Sequence, residues 1–261
     1  MKHYDVSYAG ITVPYKGSPR GGTNLPQRDE CHVDKILELY QAAIREEEEK
    51  LKYADLQEPR EGYYLHFQNA PGYDLALEAL DNKEIGHLVS VNEEKNKSGE
   101  SVTTAVLFLK KERKNWLNEK ADEYKNKPPR KGRKRKNNTA LIESIEDIRA
   151  VSLDSLWMGK EDMPSDHKEW VELWFKNNHI DPVFLLLNKL GVEHKEGGLV
   201  FPERVVVIAH ANRKDLEHVF LTSNSLVRVS DAPTLAGFIA DEQGPEQMSW
   251  MQMIMGQFRY D

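Results

Sequence analysis

The clearest hydrophobic pattern of the chain lies between residues 170 and 229, where a strand-like period of two and a helical period replace each other in turn. Residues 170–175 alternate, so Val171, Leu173 and Phe175 share one face of a predicted strand. The predicted elements are, in order, a strand at 170–175, a helix at 183–190, a hairpin turn at Gly197-Gly198, a strand at 204–210, a helix at 213–222 and a strand at 226–229. This βαββαβ order is the ferredoxin-like arrangement.

The other face of that first strand carries Trp170, Glu172 and Trp174, and Arg228 belongs to the last strand. A ferredoxin-like unit places both helices on one face of its sheet, so we expect the face with the two indoles to be bare. Indoles exposed in this way form a binding patch or an aggregation hazard, and aromatic side chains are frequent interface anchors. These four residues therefore predict a docking surface, unless the two sheets, the N-terminal arm or the last helix cover them.

The same order of elements is predicted once before, without sequence similarity between the copies. Its elements are a strand at 63–67, a helix at 74–80, strands at 85–93 and 102–110, a helix at 113–124, a helical turn with Ile142, Ile145 and Ile148, and a strand at 149–153. The predicted fold class is thus α+β with two tandem ferredoxin-like units. The predicted domains are an N-terminal arm and helix at 1–60, a first unit at 61–160, a second unit at 161–231 and a C-terminal tail and helix at 232–261.

The segments outside the two units have their own signals. Proline and glycine break up residues 1–30 into an extended arm, and a helix is predicted from Asp29 or Glu30 to about residue 52. The acidic run 46–49 in that helix is expected to be a solvated face. A methionine-rich amphipathic helix is predicted at 248–258, which suggests that more chain or a partner normally follows.

The basic segment 127–136 admits two interpretations. Clustered lysine and arginine can bind nucleic acid or another anion. Its proline and glycine forbid a helix, however, and no aromatic residue is interleaved to stack on a base. We therefore favour a mobile, self-repelling surface loop.

Composition narrows the class of protein further. A formal net charge of -7 over 261 residues disfavours nucleic acid and anionic membranes as partners. A single cysteine, Cys31, excludes an internal disulfide, no apolar run is long enough to span a bilayer, and the first residues lack the pattern of a signal peptide. The prediction is a cytoplasmic protein.

No candidate catalytic or metal-binding group emerges from the residues. There is no G-x-S-x-G segment, no phosphate-binding glycine loop after a strand, and no H-x-x-x-H or C-x-x-C pair. Cys31 and His32 are neighbours on a predicted helix and point in different directions. We expect no cofactor and no metal.

Several segments resemble, in their order along the chain, the N-terminal region of a bacterial family of intracellular subtilisin-like serine peptidases, the subtilases or peptidase S8 family. The resemblance covers nearly the whole chain. The matching segments are 17–22 (GSPRGG), 25–32 (LPQRDECH), 62–67 (GYYLHF) with Pro71-Gly72, 80–82 (LDN), 141–157 (LIESIEDIRAVSLDSLW) and 170–174 (WVELW).

In that family this region precedes the protease domain, whose catalytic Asp, His and Ser lie further along, so the resemblance assigns no catalytic residue here. It implies a subtilisin-propeptide-like role for the second unit: folding assistant, inhibitor or regulatory module for a protease domain in cis. A propeptide tail lies in the substrate cleft. The candidate inhibitory or processed segment is therefore the tail after the last strand, namely Ala232, Pro233, Thr234 and Leu235. The family also implies a possible AAA-type ATPase partner and a link to defence against phage.

Two other functions use the same predicted fold. RNA-recognition domains share the βαββαβ order, but they need exposed aromatic residues on both central strands, and residues 204–210 contain none. A small hydrolase of the acylphosphatase kind needs an Arg/Asn phosphate cradle, which the sequence does not show. A nucleic-acid-binding or adaptor module remains the alternative.

Overall fold

The computed structural model describes residues 24–29, 31–53, 58–127, 136–176 and 179–232. The chain divides into two compact units, residues 1–151 and 152–261. Several predicted segments lie outside the described residues: most of the arm, the middle of the basic segment, the tail residues Pro233, Thr234 and Leu235, and the helix at 248–258. No described helix is both long enough and apolar enough to cross a bilayer.

Within its described residues, the first unit contains a four-stranded antiparallel sheet and four α-helices. In chain order they are α1 (His32–Tyr53), β1 (Gly62–Asn69), α2 (Leu77–Leu80), β2 (Gly86–Lys95), β3 (Ser101–Lys110), α3 (Trp116–Asn126), α4 (Thr139–Ser144) and β4 (Ile145–Ala150). The strands lie in the order β2-β3-β1-β4.

The second unit has the same strand order, β6-β7-β5-β8, again fully antiparallel. Its elements are α5 (Leu153–Leu156), β5 (Glu169–Phe175), α6 (Asp181–Leu190), β6 (Glu193–Val200), β7 (Val205–Ala211), α7 (Arg213–Thr222) and β8 (Leu226–Asp231). The predicted α+β class is confirmed, and both units have the βαββαβ order.

The core of the second unit lies between its sheet and its helices. Val171, Leu173 and Phe175 are buried on the predicted face of β5, and Leu216 and Val219 are buried on α7. Each such side chain contributes roughly 1.5–3 kcal/mol when it leaves water. Burial on one face of β5 leaves the alternate residues, including both indoles, on the opposite face.

Strand β4 begins earlier than predicted, because a β-bulge changes which residues face the core. Ile145 lies opposite Asn69 and Ile148 lies opposite Phe67, with the register shifted between Gln68 and Asn69. The shift puts both isoleucines on the buried face although they are three residues apart. That spacing imitates a helix, so the prediction of a helical turn through Ile148 is wrong.

The predicted hairpin turn at Gly197-Gly198 is also wrong, because both glycines lie within β6. The strand pairing is irregular between His194 and Gly198. A Cβ atom at Gly198 would lie 2.4 Å from Cδ1 of Ile180 and 2.8 Å from the oxygen of Val206. Glycine is needed there for a close approach of backbones, and the hairpin turns instead after Val200.

The acidic run of α1 is not wholly solvated, which corrects a third expectation. Glu47 is fully buried and forms an ion pair with the equally buried Arg60. Its carboxylate also accepts the backbone N–H of Tyr64 at 2.8 Å, while Arg60 donates to the oxygen of Gly62 at 3.2 Å. Glu47 lies seven residues after the buried Tyr40, on the same helical stripe, so its position and not its charge predicts burial.

The outer edge of β8 is paired with the segment that enters the second unit. Trp157 forms a parallel bridge with Val229, and the N–H of Met158 donates to the oxygen of Val229 at 2.8 Å. The N–H of Lys160 donates to Oδ1 of Asp231 at 2.7 Å. This segment therefore occupies part of a sheet edge that would otherwise be free.

Candidate docking site

The residues predicted for docking lie together on the face of the second sheet that turns away from its helices; we call this surface the indole face. Trp170 lies opposite His210, and Trp174 lies opposite both Val206 and Arg228. Residues directly opposite in antiparallel strands share a face. The structure therefore brings Trp170, Glu172, Trp174 and Arg228 onto one surface, whereas their role in binding a partner stays a prediction.

Trp170 is the exposed end of this surface, with 38% of its area accessible. Its indole stacks on the ring of His210 with the centroids 4.8 Å apart, and Nζ of Lys195 lies 4.6 Å from the indole centroid. Nδ1 of His210 lies 2.9 Å from Oε2 of Glu193, which orients the imidazole ring. A partner would thus meet an indole that is already held in place.

Trp174 is held more firmly by a polar network on the same face. Its Nε1–H donates to Oε2 of Glu172 at 3.0 Å, and the hydroxyl of Ser230 donates to the same oxygen at 3.3 Å. The ring of Phe201 lies nearly parallel to the indole, with centroids 6.2 Å apart. Side chains fixed before binding lose less entropy when a partner arrives.

The tip of the β6–β7 hairpin adds apolar surface beside Trp174. Leu199, Val200 and Phe201 are 43%, 55% and 44% exposed, and Leu199 lies opposite Val206 on the indole face. The turn closes where the N–H of Phe201 donates to the oxygen of Arg204 at 2.7 Å. The sequence missed this rim because the turn was placed at the two glycines; the run of apolar residues at 199–201 was the available signal.

Two arginines on the face of Trp174 form no ion pair with an acidic side chain among the described residues. The guanidinium of Arg228 lies 5.5 Å from the indole centroid, and alternation along β7 places Arg204 on the face of Val206. Among the described residues, no hydrogen bond or ion pair from either guanidinium is present, and Nε of Arg228 is buried without an acceptor. Burial lowers the pKa of Arg204 most, Glu203 opposes this, and the charge of Arg228 lowers it further.

A concave region lies at the start of α1, and its cationic side chains already have hydrogen-bonding or ion-pair partners. It is lined by Gln27, Arg28, Asp29, Cys31, His32 and Lys35. Nη1 of Arg28 lies 2.5 Å from Oε2 of Glu146, and Nε2 of His32 lies 3.2 Å from the oxygen of Ile142. Burial is the main cause that lowers the pKa of His32. These contacts tie the start of α1 to the end of α4, which is a structural role.

The predicted tail can be placed only at its first residue. The N–H of Ala232 donates to the oxygen of Trp170 at 3.2 Å, so the tail leaves the sheet directly beside the exposed indole. Pro233, Thr234 and Leu235 lie outside the described residues. The inhibitory or processed role of these four residues therefore stays a prediction.

Metal ligation has no candidate in the described part of the chain. Within those ranges, no cluster of three or more His, Cys, Asp or Glu side chains could hold a metal ion.

Comparisons with known proteins add little to this geometry. No protein-family model matches the chain, and no curated protein matches it. Among solved structures, the small subunit of acetolactate synthase from Thermotoga maritima matches with a TM-score of 0.20 and 8% identity, over 64% of this chain and 90% of that chain. A likeness at that TM-score carries no argument about fold or function.

Proposed function

We propose that the chain is the non-catalytic N-terminal region of a subtilisin-like serine protease. Its second unit acts in the manner of a subtilisin propeptide, as an intramolecular chaperone, inhibitor or regulatory module that covers a protease domain in cis. The observation that carries the proposal is the indole face, an aromatic sheet surface opposite the helices of a ferredoxin-like unit. The resemblance of the sequence to the subtilase family supplies the identity of the partner.

The composition of the indole face supports a protein as its partner. Interfaces of moderate affinity combine a few aromatic anchors with an apolar centre and a polar rim. Trp170 and Trp174 are the anchors here, Leu199 and Phe201 extend the apolar area, and Glu172 fixes one indole by a hydrogen bond. A rigid protein surface can bury these groups together, which a small ligand cannot.

The tail position fits the same role. The sequence Ala232-Pro233-Thr234-Leu235 follows β8 directly, and Ala232 is anchored beside Trp170. In this proposal the sheet docks on the protease domain and the tail enters the substrate cleft. An AAA-type ATPase is a further proposed partner of the whole protein, in a system that defends against phage; both rest on the sequence resemblance alone.

The proposal is tested by inhibition in trans. The full chain is added to the cognate protease domain, and hydrolysis of a chromogenic peptide is followed. We expect inhibition at micromolar concentration and a loss of at least about ten-fold in affinity for Trp170→Ala, because an aromatic anchor contributes roughly 2 kcal/mol or more. Leu185→Ala is the matched control, since Leu185 is 72% exposed but lies on α6.

The outcomes separate the proposal from its alternative. No inhibition at micromolar concentration, or equal loss from Trp170→Ala and Leu185→Ala, would contradict docking through the indole face. A nucleic-acid-binding module would instead retain single-stranded RNA on a filter at physiological salt. We expect no retention, because the net charge is -7 and β7, a central strand, presents no aromatic residue other than His210.

A further inference from the structure

Arg204 and Arg228 form an incomplete charge cluster on the indole face. Each is partly buried. The charge of Arg228 acts against that of Arg204, and Glu203 offsets this without forming an ion pair among the described residues. A buried donor without an acceptor is unfavourable, and more so when the group is charged. Arg60 and Arg213, by contrast, have carboxylate partners: Arg60 pairs with Glu47 and Arg213 with Asp154.

The surroundings of the cluster are aromatic and apolar. Trp174 lies under the guanidinium of Arg228, Phe201 stacks on Trp174, and Leu199 and Val200 are exposed on the neighbouring hairpin. An anion bound here would be partly shielded from water, which strengthens its hydrogen bonds to the two guanidiniums. The site therefore suits a single negatively charged group that is flanked by apolar residues.

From this arrangement we infer that Arg204 and Arg228 bind a carboxylate of a docking partner, an aspartate or glutamate side chain flanked by apolar residues. The inference deepens the proposed function and rests on it only for the identity of that partner. The two arginines supply the charge that the partner must match, while Trp174 and Phe201 receive the residues beside the carboxylate.

A protein carboxylate fits better than the phosphate backbone of a nucleic acid. The cluster concentrates two cations in one place instead of spreading them along the strands as a track for a polyanion. Glu172 lies on the same face, and Glu193 borders it beside His210. Those carboxylates would repel a polyanion that ran across the sheet, whereas a single carboxylate at the two arginines meets only Glu172, whose Oε2 already accepts hydrogen bonds from Trp174 and Ser230.

The test uses the full chain and a small probe, so that it does not depend on the protease. N-acetyl-Phe-Asp-Phe-amide is titrated into the isotope-labelled chain, and the NMR signals of the Trp174 indole N–H and of Nε–H of Arg228 are followed. N-acetyl-Phe-Asn-Phe-amide is the neutral control probe. We expect saturable shifts with the acidic probe and binding of the neutral probe weaker by about ten-fold or more, because only a carboxylate forms charge-assisted hydrogen bonds.

Variants assign the effect to the two arginines. Arg204→Gln and Arg228→Gln should each weaken binding of the acidic probe several-fold, whereas Lys214→Gln on α7 removes a charge away from the face and should leave binding unchanged. Equal binding of the two probes would overturn the inference, as would an equal loss for Lys214→Gln. Tighter binding of octauridylate than of the acidic probe at the same signals would assign the site to phosphate instead.

The result is separable from the proposed function. Inhibition of the protease by the wild-type chain, with no difference between the acidic and neutral probes, would remove the carboxylate site and leave docking in place. Selective binding of the acidic probe without inhibition would support the site and contradict its assignment to a protease domain.

Discussion

Arg60 in the first unit and Arg228 in the second are both withdrawn from water, but only the first has a carboxylate. Arg60 pairs with the buried Glu47, donates to the oxygen of Gly62, and lies 4.9 Å from the ring centroid of Tyr64. Arg228 lies over Trp174 with its Nε buried and no acceptor among the described residues. A compensated buried charge holds one structure together, whereas an uncompensated one raises the free energy of the unbound protein.

The two arginines show how a charge with a structural role differs from one that is available to a partner. Removing one member of a complete buried pair leaves the other charge stranded, which is strongly destabilising. Removing a charge that has no partner removes the free-energy cost of burying that charge. The two arginines should therefore respond in opposite directions to the same substitution, although both lie close to an aromatic ring.

The largest effect is expected for Arg60→Met in the first unit. The substitution leaves Glu47 buried without its cation, and we expect the free energy of opening to fall by about 3–5 kcal/mol. Hydrogen exchange of the amides in β1 measures this locally, which avoids assuming that two units unfold together. Glu46→Gln is the matched control, since Glu46 is exposed and its pair with Lys50 should contribute below about 1 kcal/mol.

A double substitution sharpens the same point. Glu47→Leu combined with Arg60→Met removes both charges, so we expect most of the lost stability to return. If the double variant were as unstable as Arg60→Met alone, or if Arg60→Met cost less than about 1 kcal/mol, the pair would not hold α1 on β1.

Arg228→Met should change the stability of its unit in the opposite direction and by a smaller amount. It removes an unpaired charge and keeps an apolar stem beside Trp174, so we expect exchange from β5 to slow, by up to about 1 kcal/mol in opening free energy. Arg213→Met in the same unit is the control that should destabilise slightly, because Arg213 pairs with Asp154. Destabilisation of about 2 kcal/mol or more by Arg228→Met, well outside that range, would mean that Arg228 has a structural role.

The pH dependence of the first unit offers a third test. His66 lies next to Phe67 on β1, and burial is the main cause that lowers its pKa, with Arg149 adding to it. The unfolded chain therefore binds the proton more readily, so stability is lost as the pH falls through the ordinary histidine range near 6.5 towards the lower folded pKa.

The measurement compares wild type and His66→Phe between about pH 7.5 and pH 5, a window that spans the ordinary histidine pKa. We expect hydrogen exchange of the β1 amides to accelerate on acidification in the wild type. In the variant, the opening free energy should depend less steeply on pH. The slope should not vanish, because burial also lowers the pKa of His32. An unchanged slope would show that His66 is not protonated less readily in the folded unit.

The smallest effect is expected for the exposed pair between Asp154 and Arg213. Hydrogen bonds from Arg213 are the main cause that lowers the pKa of Asp154, so its contribution is present above the ordinary aspartate pKa and is lost as the pH falls below it. Asp154→Asn should destabilise by roughly 0.2–1 kcal/mol at about pH 7 and by less at about pH 3, judged by thermal unfolding. A larger loss, or one that persists in acid, would contradict a simple surface pair.

Much of the fold follows from periodicity. The alternation at 170–175 predicted β5 and its two faces. The helix predicted at 183–190 ends where α6 ends, before Gly191 with a φ of 67°, although α6 begins two residues earlier than predicted. The predictions were wrong where a strand is irregular. From the sequence alone, the bulge beside Ile145 looks like a helical turn, and the two glycines inside β6 look like a hairpin turn. Such features depend on contacts with distant backbone, which a local pattern does not contain.

The site was predicted less completely than the fold. Trp170, Glu172 and Trp174 were placed on one face by period two, Arg228 was added from the last strand, and the structure brings the four together. Arg204 was missed because its importance depends on a missing partner, and a sequence does not show which charges remain unpaired. The same reason hid Glu47, whose partner Arg60 lies in a different segment of the chain.

The bridge between Trp157 and Val229 has a consequence for how copies of this protein can associate. The N–H of Met158 already donates to the carbonyl of Val229. A strand of another molecule would therefore have to displace this segment before it could extend the sheet on that side. Uncontrolled stacking of second units through β8 is thereby discouraged.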